Sequence, residues 1–417
     1  MDSVRAKLVN KPVLGSLAMA TSLSFSLSAL AADVRTEPRV DLRVEQNDNL
    51  NLDPDTTSES DVLGYIAEMD LLMDIKTPRG ETSLRPRARF QDYPDRDDFE
   101  RVEGFLDLLS RYEWQRSTFE FIGNVSHQDL YNSETPSGGF DPLDPDGGDS
   151  DGGAATIGQT RTALGLSPTF EHQVTERATL GFAADYLAAR YDADDGPSTR
   201  TDYDYGVLDG YFSWALSPSS TFSVGAYASR YEAEDEVETT DAIGGRVGYA
   251  YRWSETDGIE AAVNYERNET EILVPALLEE TSSDVGGTLT AFRKLEVSEW
   301  RFSVGRYFMP TGDNGKSVSD RFRIQYDRLL SERLSFRGIA RYDSRSALSE
   351  LETSNDRDYA RLDLSLKWLI TQKWYVGGGY SYIWEDREEA TSDAVNNRFF
   401  INFGYQGLSQ RSLGDRL

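Results

Sequence analysis

The sequence predicts an all-β fold: a transmembrane antiparallel β-barrel of about 18 strands, with short periplasmic turns and long acidic extracellular loops. Three observations predict it. Runs of alternating polar and apolar residues recur along the chain, the links between them alternate between short and long, and most tryptophans lie beside the short links. Many of these runs are longer than the strands of soluble sandwiches, which average five or six residues, and they fit a tilted membrane crossing better.

The short links share a pattern in which Ser or Thr stands second and an apolar residue stands first and last. It occurs at residues 174–180, 216–222, 253–259, 330–336 and 370–376, with a shortened copy from residue 297. The copies recur at intervals of roughly 40 residues, which is a repeat-scale period. A propeller blade would hold four short strands in that length, whereas each interval here holds two long strands and a polar loop. The repeating unit is therefore a hairpin of long strands.

The alternation predicts eighteen strands in order. They lie near residues 36–46, 62–76, 81–92, 99–113, 117–130, 158–171, 177–191, 202–215, 220–233, 241–253, 258–271, 283–294, 299–309, 318–329, 333–345, 357–369, 373–386 and 397–407. The link after each even-numbered strand is tight, as in Thr77–Gly80, and the link after each odd-numbered strand is long and polar. An even strand count with both termini at the short-turn side is what a bacterial outer-membrane barrel requires.

Tryptophan placement supports the same architecture. Trp114, Trp214, Trp253, Trp300, Trp368 and Trp374 all fall at short-turn ends, whereas Trp384 lies toward a long loop. Aromatic rings concentrate at the interfaces of a bilayer, so six of seven tryptophans at one level predict a periplasmic girdle.

The chain is predicted to have one folded domain behind an export signal. Arg5, Lys7 and Lys11 precede a weakly apolar stretch and the cleavage box Ala29-Leu30-Ala31, as in a secretory signal peptide. The predicted segments are a signal peptide over residues 1–31, an outer-membrane barrel over 32–407 and a short tail over 408–417. The predicted location is the bacterial outer membrane.

Composition limits the chemistry. The 417 residues include no Cys and only two His, and the net charge is −29. A disulfide framework and a thiolate metal site are therefore impossible, and the charge argues against binding nucleic acid. The acidic run Asp144–Asp151 lacks the bidentate Glu of a calcium loop, and most such runs are simply solvated. We predict no metal centre and no cofactor.

Strand alternation assigns one set of basic side chains to the lumen. The predicted pore-lining residues are Arg85, Arg87, Arg89, Arg101, Arg111, Arg246, Arg301, Arg321, Arg323, Arg337, Arg341, Arg361 and Lys367. Lumen carboxylates nearly balance them, so the residues either pair and brace the wall or form a track that binds anionic or hydroxyl-rich polymer. Arg85, Arg87 and Arg89, on one strand, are the best candidates for such a track.

The longest predicted loop, Asn132–Gly158, can fold into the lumen as a constriction or cover it as a lid. Its candidate residues are Asp141, Asp144, Asp146, Asp149 and Asp151. A constriction would favour a general or solute-selective porin.

The chain resembles the outer-membrane β-barrel porins encoded with bacterial exopolysaccharide operons. The resemblance covers roughly residues 35–407 and rests on the opening run Arg39–Leu50, the turn Thr77–Gly80 and the recurrent turns of the Leu-Ser-Glu-Arg kind at Leu330. It implies a channel that conducts a secreted exopolysaccharide without coupling energy itself. The implied partners are outer-membrane lipid, the polysaccharide, periplasmic polysaccharide export or synthesis machinery, and the barrel assembly machinery.

Three other functions stay open at this point. The first is a general or solute-selective diffusion porin. The second is an outer-membrane enzyme acting on lipid or glycan, for which His127 beside Ser126 and Asp129 is the only rim candidate. The third is a soluble secreted β-sheet protein that binds sugars. We favour a channel that is not an enzyme.

Overall fold

The computed structural model describes residues 32–407, except residues 53, 55–60, 95, 97–98, 136–157, 194–197, 199, 235–237, 274–276, 314, 349–355, 389 and 391. The predicted signal peptide (1–31), the predicted tail (408–417) and the five aspartates of the predicted constriction or lid lie outside the described residues.

Eighteen strands form the described part of the chain, as predicted. They are β1 (Asp33–Asn47), β2 (Val62–Thr77), β3 (Gly80–Asp92), β4 (Arg101–Glu113), β5 (Ser117–Asp129), β6 (Gln159–Gln173), β7 (Ala178–Ala193), β8 (Tyr203–Ser217), β9 (Ser220–Ala233), β10 (Glu238–Arg252), β11 (Asp257–Leu273), β12 (Leu277–Lys294), β13 (Ser298–Pro310), β14 (Lys316–Leu329), β15 (Leu334–Ala347), β16 (Arg357–Leu369), β17 (Trp374–Arg387) and β18 (Ala394–Gln406). One short helix, α1 (Leu130–Glu134), follows β5.

The sheet closes on itself. Every strand pairs antiparallel with its neighbours in sequence, and β18 pairs with β1 in a register that sets Arg39 opposite Gln406. The predicted antiparallel β-barrel of about 18 strands is therefore confirmed. Closure leaves no free sheet edge at this junction, which satisfies the backbone hydrogen bonds that a membrane-spanning structure must make internally.

Ser and Thr at the second position of the short turns close those turns. The backbone N–H groups of Ala178, Leu334 and Trp374 donate to the hydroxyl oxygens of Thr175, Ser331 and Thr371 at 3.0, 3.1 and 3.1 Å. Short polar side chains commonly satisfy turn donors in this way. The repeated turn pattern in the sequence thus has a local structural cause.

The outer face of the barrel is apolar and carries a tryptophan girdle. The six tryptophans predicted at the short-turn ends are all exposed, with fractional exposures of 42 to 55%. Between them and the outer rim stand exposed aliphatic and aromatic side chains such as Leu208, Ile243 and Val263. A continuous apolar band with an aromatic belt belongs in a bilayer, so the protein is an outer-membrane barrel and not a soluble sugar-binding sheet. No helix among the described residues is long and apolar enough to cross a membrane.

Among the described residues, the longest stretch of strand that lacks a partner on one side lies at the junction between β12 and β13. Their pairing runs from Lys294 and Glu299 only as far as Gly287 and Arg306. The strand β12 begins at Leu277, six residues before the predicted start, and its outer ten residues pair with β11 alone. We call this junction, between residues 277–286 of β12 and 307–310 of β13, the seam.

Candidate functional site: the barrel lumen

The lumen holds one large cavity of about 2510 Å³. At the short-turn end it is lined by turn residues such as Arg333 and Gln372, and toward the long loops it reaches Asn132, Ser133 and Thr135. The cavity therefore opens at the periplasmic end and runs up to the segment that follows β5.

The structure places ten of the thirteen predicted pore-lining residues on the wall of this cavity. They are Arg85, Arg87, Arg89, Arg246, Arg301, Arg321, Arg323, Arg337, Arg361 and Lys367. The other three share the inward side of their strands but lie elsewhere. Arg101 and Arg341 are held in ion pairs with Asp129 and Asp343 at 2.6 Å, and Arg111 is half exposed near the short turns.

Most of these cations are paired. Arg85 contacts Asp70 at 2.8 Å, Arg337 contacts Asp327 at 2.5 Å, and Arg361 contacts Asp363 at 2.7 Å. Arg89 bridges Glu68 and Glu103 at 3.1 and 3.3 Å. Apart from Arg361 and Asp363, which both lie on β16, these pairs link neighbouring strands. Most of the predicted arginine track therefore has a structural role.

Arg43 and Arg87 differ from the rest because neither forms an ion pair with any other described residue. Each guanidinium instead lies over an aromatic ring, Arg43 at 4.7 Å from the centroid of Phe400 and Arg87 at 4.1 Å from that of Phe105. The Nε atoms of both arginines are buried and lack a hydrogen-bond acceptor. The carboxylate between them, Glu68, contacts Arg89 at 3.1 Å and interacts with Arg87 and Arg43 only at longer range.

The predicted pore-lining residues include Arg87 but not Arg43. Arg43 stands between Asp41 and Glu45 on β1 with the same parity, so alternation places all three on one face of the strand. Both arginines line the cavity.

Charge is unevenly distributed around the lumen. Among the described residues, sixteen basic and thirteen acidic side chains line the cavity, although the whole chain carries a charge of −29. Fourteen of the basic residues belong to the wall formed by β13–β18 and β1–β4. The opposite wall, β5–β12, contributes two basic and three acidic residues together with the rings of Tyr205 and Tyr227. The cationic excess therefore lies on one side of the lumen.

The segment formed by Asp129, α1 and Thr135 crosses the outer part of the lumen. Leu130 packs in a buried cluster with Tyr203 and Tyr231 from β8 and β9, whereas Tyr131 packs in a second buried cluster with Tyr359 and Ile383 from β16 and β17. Two adjacent residues thus contact opposite walls. Burial raises the pKa of the Tyr131 hydroxyl to about 12.

Ion pairs hold the far end of this crossing segment. Glu134, which is fully buried, accepts a hydrogen bond at 3.3 Å from Arg357 of β16. The same guanidinium donates to the backbone carbonyl of Glu134 at 2.9 Å, and Arg361 donates to the carbonyl of Thr135. The start of the long loop therefore folds inward as a constriction, in the part of that loop that the structure describes.

A second inward contact comes from the tip of the β13–β14 hairpin. Lys316 is almost fully buried and contacts Glu266 of β11 at 2.5 Å and Asn268 at 3.1 Å. Nearby, the Tyr231 hydroxyl donates to the carbonyl of Thr311 at 3.2 Å, and Asp313 pairs with Arg200. Because Glu266 and Tyr231 face the lumen, the tip passes on the inner side of β12.

The residues of the candidate catalytic site, Ser126 and His127, do not lie together. Alternation sets His127 on the outer face of β5, where its Nδ1 lies 2.9 Å from the hydroxyl of Thr162, whereas Ser126 lines the cavity on the inner face. A nucleophile and its base must lie within hydrogen-bond reach, so Ser126 and His127 cannot act together. Within the described ranges no group of three or more carboxylate or imidazole side chains is arranged to hold a metal ion.

No protein-family profile and no curated protein sequence matches the chain. Among solved structures, the chain is similar to OpdO of Pseudomonas aeruginosa, at 12% identity over 90% of this chain and 97% of that one, with a TM-score of 0.41. It is also similar to OccAB3 of Acinetobacter baumannii, at 10% identity over 90% and 99% of the two chains, with a TM-score of 0.42. A third similar structure is OccK2 (OpdF) of Pseudomonas aeruginosa, solved in complex with glucuronate, at 9% identity over 90% and 99%, with a TM-score of 0.42.

Proposed function

We propose that the protein is a solute-selective diffusion channel of the outer membrane that favours small anionic solutes. The observation that carries this proposal is the pair Arg43 and Arg87, two lumen guanidinium groups without a carboxylate partner, on a wall with a surplus of positive charge. Guanidinium binds carboxylate or phosphate oxygens through two parallel hydrogen bonds, and it does so more strongly where water is partly excluded.

The neighbouring rings add to the selectivity. Phe400 and Phe105 each lie against one guanidinium group, and both arginines line the cavity. A cation fixed against an aromatic face loses less conformational freedom on binding than a flexible one. Weak, repeated contacts of this kind suit a channel, because a solute must leave the site as readily as it enters.

The crossing segment favours a small solute over a polymer. Residues 129–135 span the outer lumen and are tied to β16 by the contacts of Glu134 and Thr135. A polysaccharide would need this segment to move aside for as long as the polymer is threaded. Conduction of an exopolysaccharide, which the resemblance implies, stays a prediction and is the second candidate.

The test is the reversal potential of the refolded protein in a planar bilayer under a KCl gradient. We expect anion selectivity in the natural protein and a shift toward cations in the double variant Arg43→Gln/Arg87→Gln. Arg111→Gln, which removes one lumen-side charge near the wide short-turn end, is the control and should shift the potential less. Equal shifts in both variants would contradict the assignment, and current blocking by long exopolysaccharide fragments alone would favour the polymer conduit.

A further inference from the structure

We propose that solutes pass between the lumen and the cell exterior sideways, through the seam between β12 and β13, and not through the mouth of the barrel. This inference rests on the proposed channel function and adds the route.

The first argument is the missing pairing. Closing a sheet into a barrel requires each strand to pair with a neighbour on both sides. Here the ladder between β12 and β13 ends at Gly287 and Arg306, while β12 continues outward for ten residues. At the point of separation, a side chain on Gly286 would meet the carbonyl oxygen of Arg306 at 2.9 Å. The absence of that side chain lets β13 pass on the inner side of β12.

The second argument is the lining of the cavity. Along a strand paired on both sides, alternate residues face the lumen. Five consecutive residues of β13, from Arg306 to Pro310, line the cavity, so both faces of this part of the strand are reached from inside. The cavity therefore reaches the β13 side of the seam.

The third argument is the filling of the mouth. In the described part of the chain, the two buried clusters that contain Leu130 and Tyr131 occupy the outer end of the lumen. Burial of large aromatic side chains on both sides of α1 makes this packing costly to open. At the seam the inner side of β12 is covered by the tip of the β13–β14 hairpin, which is held by the polar contacts of Lys316 and Thr311. On the outer side, Ser283 and Glu279 of β12 are exposed.

The fourth argument is the height of the seam in the membrane. The outward face of β13 is apolar through Trp300, Phe302 and Val304, and it becomes charged at Arg306, which pairs with Asp320 of β14 at 2.5 Å. The seam opens just beyond this charged pair. A hydrophilic solute leaving there would enter the headgroup layer or the water above it and would not cross hydrocarbon.

The test closes the seam with a disulfide in a protein that has no natural cysteine. Extending the existing register outward from Gly287 and Arg306 sets Asp284 opposite Met309. The test variant is therefore Asp284→Cys/Met309→Cys. The control is Thr290→Cys/Ser303→Cys, on the same two strands and the same face, where the wall is already paired.

We expect the oxidised test variant to lose conductance and to recover it on reduction, with the control unchanged in both states. Formation of the test disulfide with undiminished conductance would overturn the side route while leaving the channel function intact. Absence of conductance in the natural protein would instead contradict the channel function itself.

A second variant covers the case in which the test disulfide does not form. Ser283→Cys places a thiol on the outer face beside the seam, and Asp204→Cys places one on the outer face of β8, far from it. A bulky polyethylene glycol reagent added from outside should reduce the current of the first variant only. Equal currents in both labelled variants would overturn the proposal.

Discussion

Loosening the crossing segment should open the lumen, and Glu134→Gln is the sharpest way to test this. The substitution keeps the shape of the side chain and removes its charge. Arg357 retains its 2.5 Å contact with Glu385, so no buried cation is left without a partner. The backbone carbonyl of Glu134 also remains available to Arg357. The change therefore weakens one tie without unfolding the wall around it.

The magnitude follows from the charge that is lost, because the amide oxygen of Gln can still accept a neutral hydrogen bond from Arg357. A hydrogen bond to a charged group contributes about 1.5–3 kcal/mol and a neutral one about 0.5–1.5 kcal/mol, so the loss is about 1–1.5 kcal/mol. Since each 1.4 kcal/mol is a factor of ten, a state in which α1 has left β16 becomes about 5- to 12-fold more populated. Single-channel recording should then show more frequent or longer events of higher conductance.

The matched control is Glu171→Gln. Glu171 also faces the lumen and accepts a short hydrogen bond, from the Tyr211 hydroxyl at 2.6 Å, but it lies near the short turns and does not contact α1. Identical current histograms for the natural protein and Glu134→Gln would refute the constriction, and so would an equal change in the control. Heat-dependent migration in a denaturing gel checks that both variants form closed barrels.

Two further predictions concern the stability of the barrel, measured as the free energy of unfolding in urea. Lys316→Met leaves the Glu266 carboxylate buried without its cation and should cost about 3–5 kcal/mol, whereas the double variant Lys316→Met/Glu266→Leu should recover most of that loss. A double variant as unstable as the single one would contradict this account of the pair. Gly287→Ala would bring its new methyl group to 2.7 Å from the carbonyl oxygen of Ala262 and should cost about 1–3 kcal/mol. Gly104→Ala, which meets nothing within 4 Å, is the control and should be nearly neutral.

The architecture was predictable from sequence because its causes are local. A strand between lipid and a wet lumen must alternate, and the short turns repeat one hydroxyl-closed pattern, so all eighteen strands were predicted near their observed positions. The largest difference is the early start of β12 at Leu277, and it arises because the cause of alternation is absent there. Its outer end extends beyond the apolar band and lacks a partner on one side, so nothing there imposes alternation.

The crossing segment could not be predicted because its partners are remote. Glu134 and Arg357 are 223 residues apart in sequence, and α1 has only five residues. The prediction left open whether the long loop would fold inward or outward. Only the packing of Leu130 and Tyr131 against opposite walls decides between them, and that packing depends on the closed barrel.

The lumen arginines show where strand alternation stops being informative. Arg85, Arg87 and Arg89 share one face of one strand, so alternation treats them as equals. The strand register alone would then predict an ion pair between Arg87 and Asp70, its direct neighbour on β2. The guanidinium of Arg85 reaches diagonally to Asp70 at 2.8 Å instead, although Asp107 lies opposite it on β4.

That diagonal contact decides which cation is left for a solute. Arg85 takes Asp70 and Arg89 takes both Glu68 and Glu103, so every carboxylate that could neutralise Arg87 across β2 is already occupied. Diagonal neighbours on adjacent strands lie within reach of long side chains, so register alone does not determine ion pairs. Two of the three arginines therefore brace the wall, and this pairing is what leaves Arg87 available to an anion in the lumen.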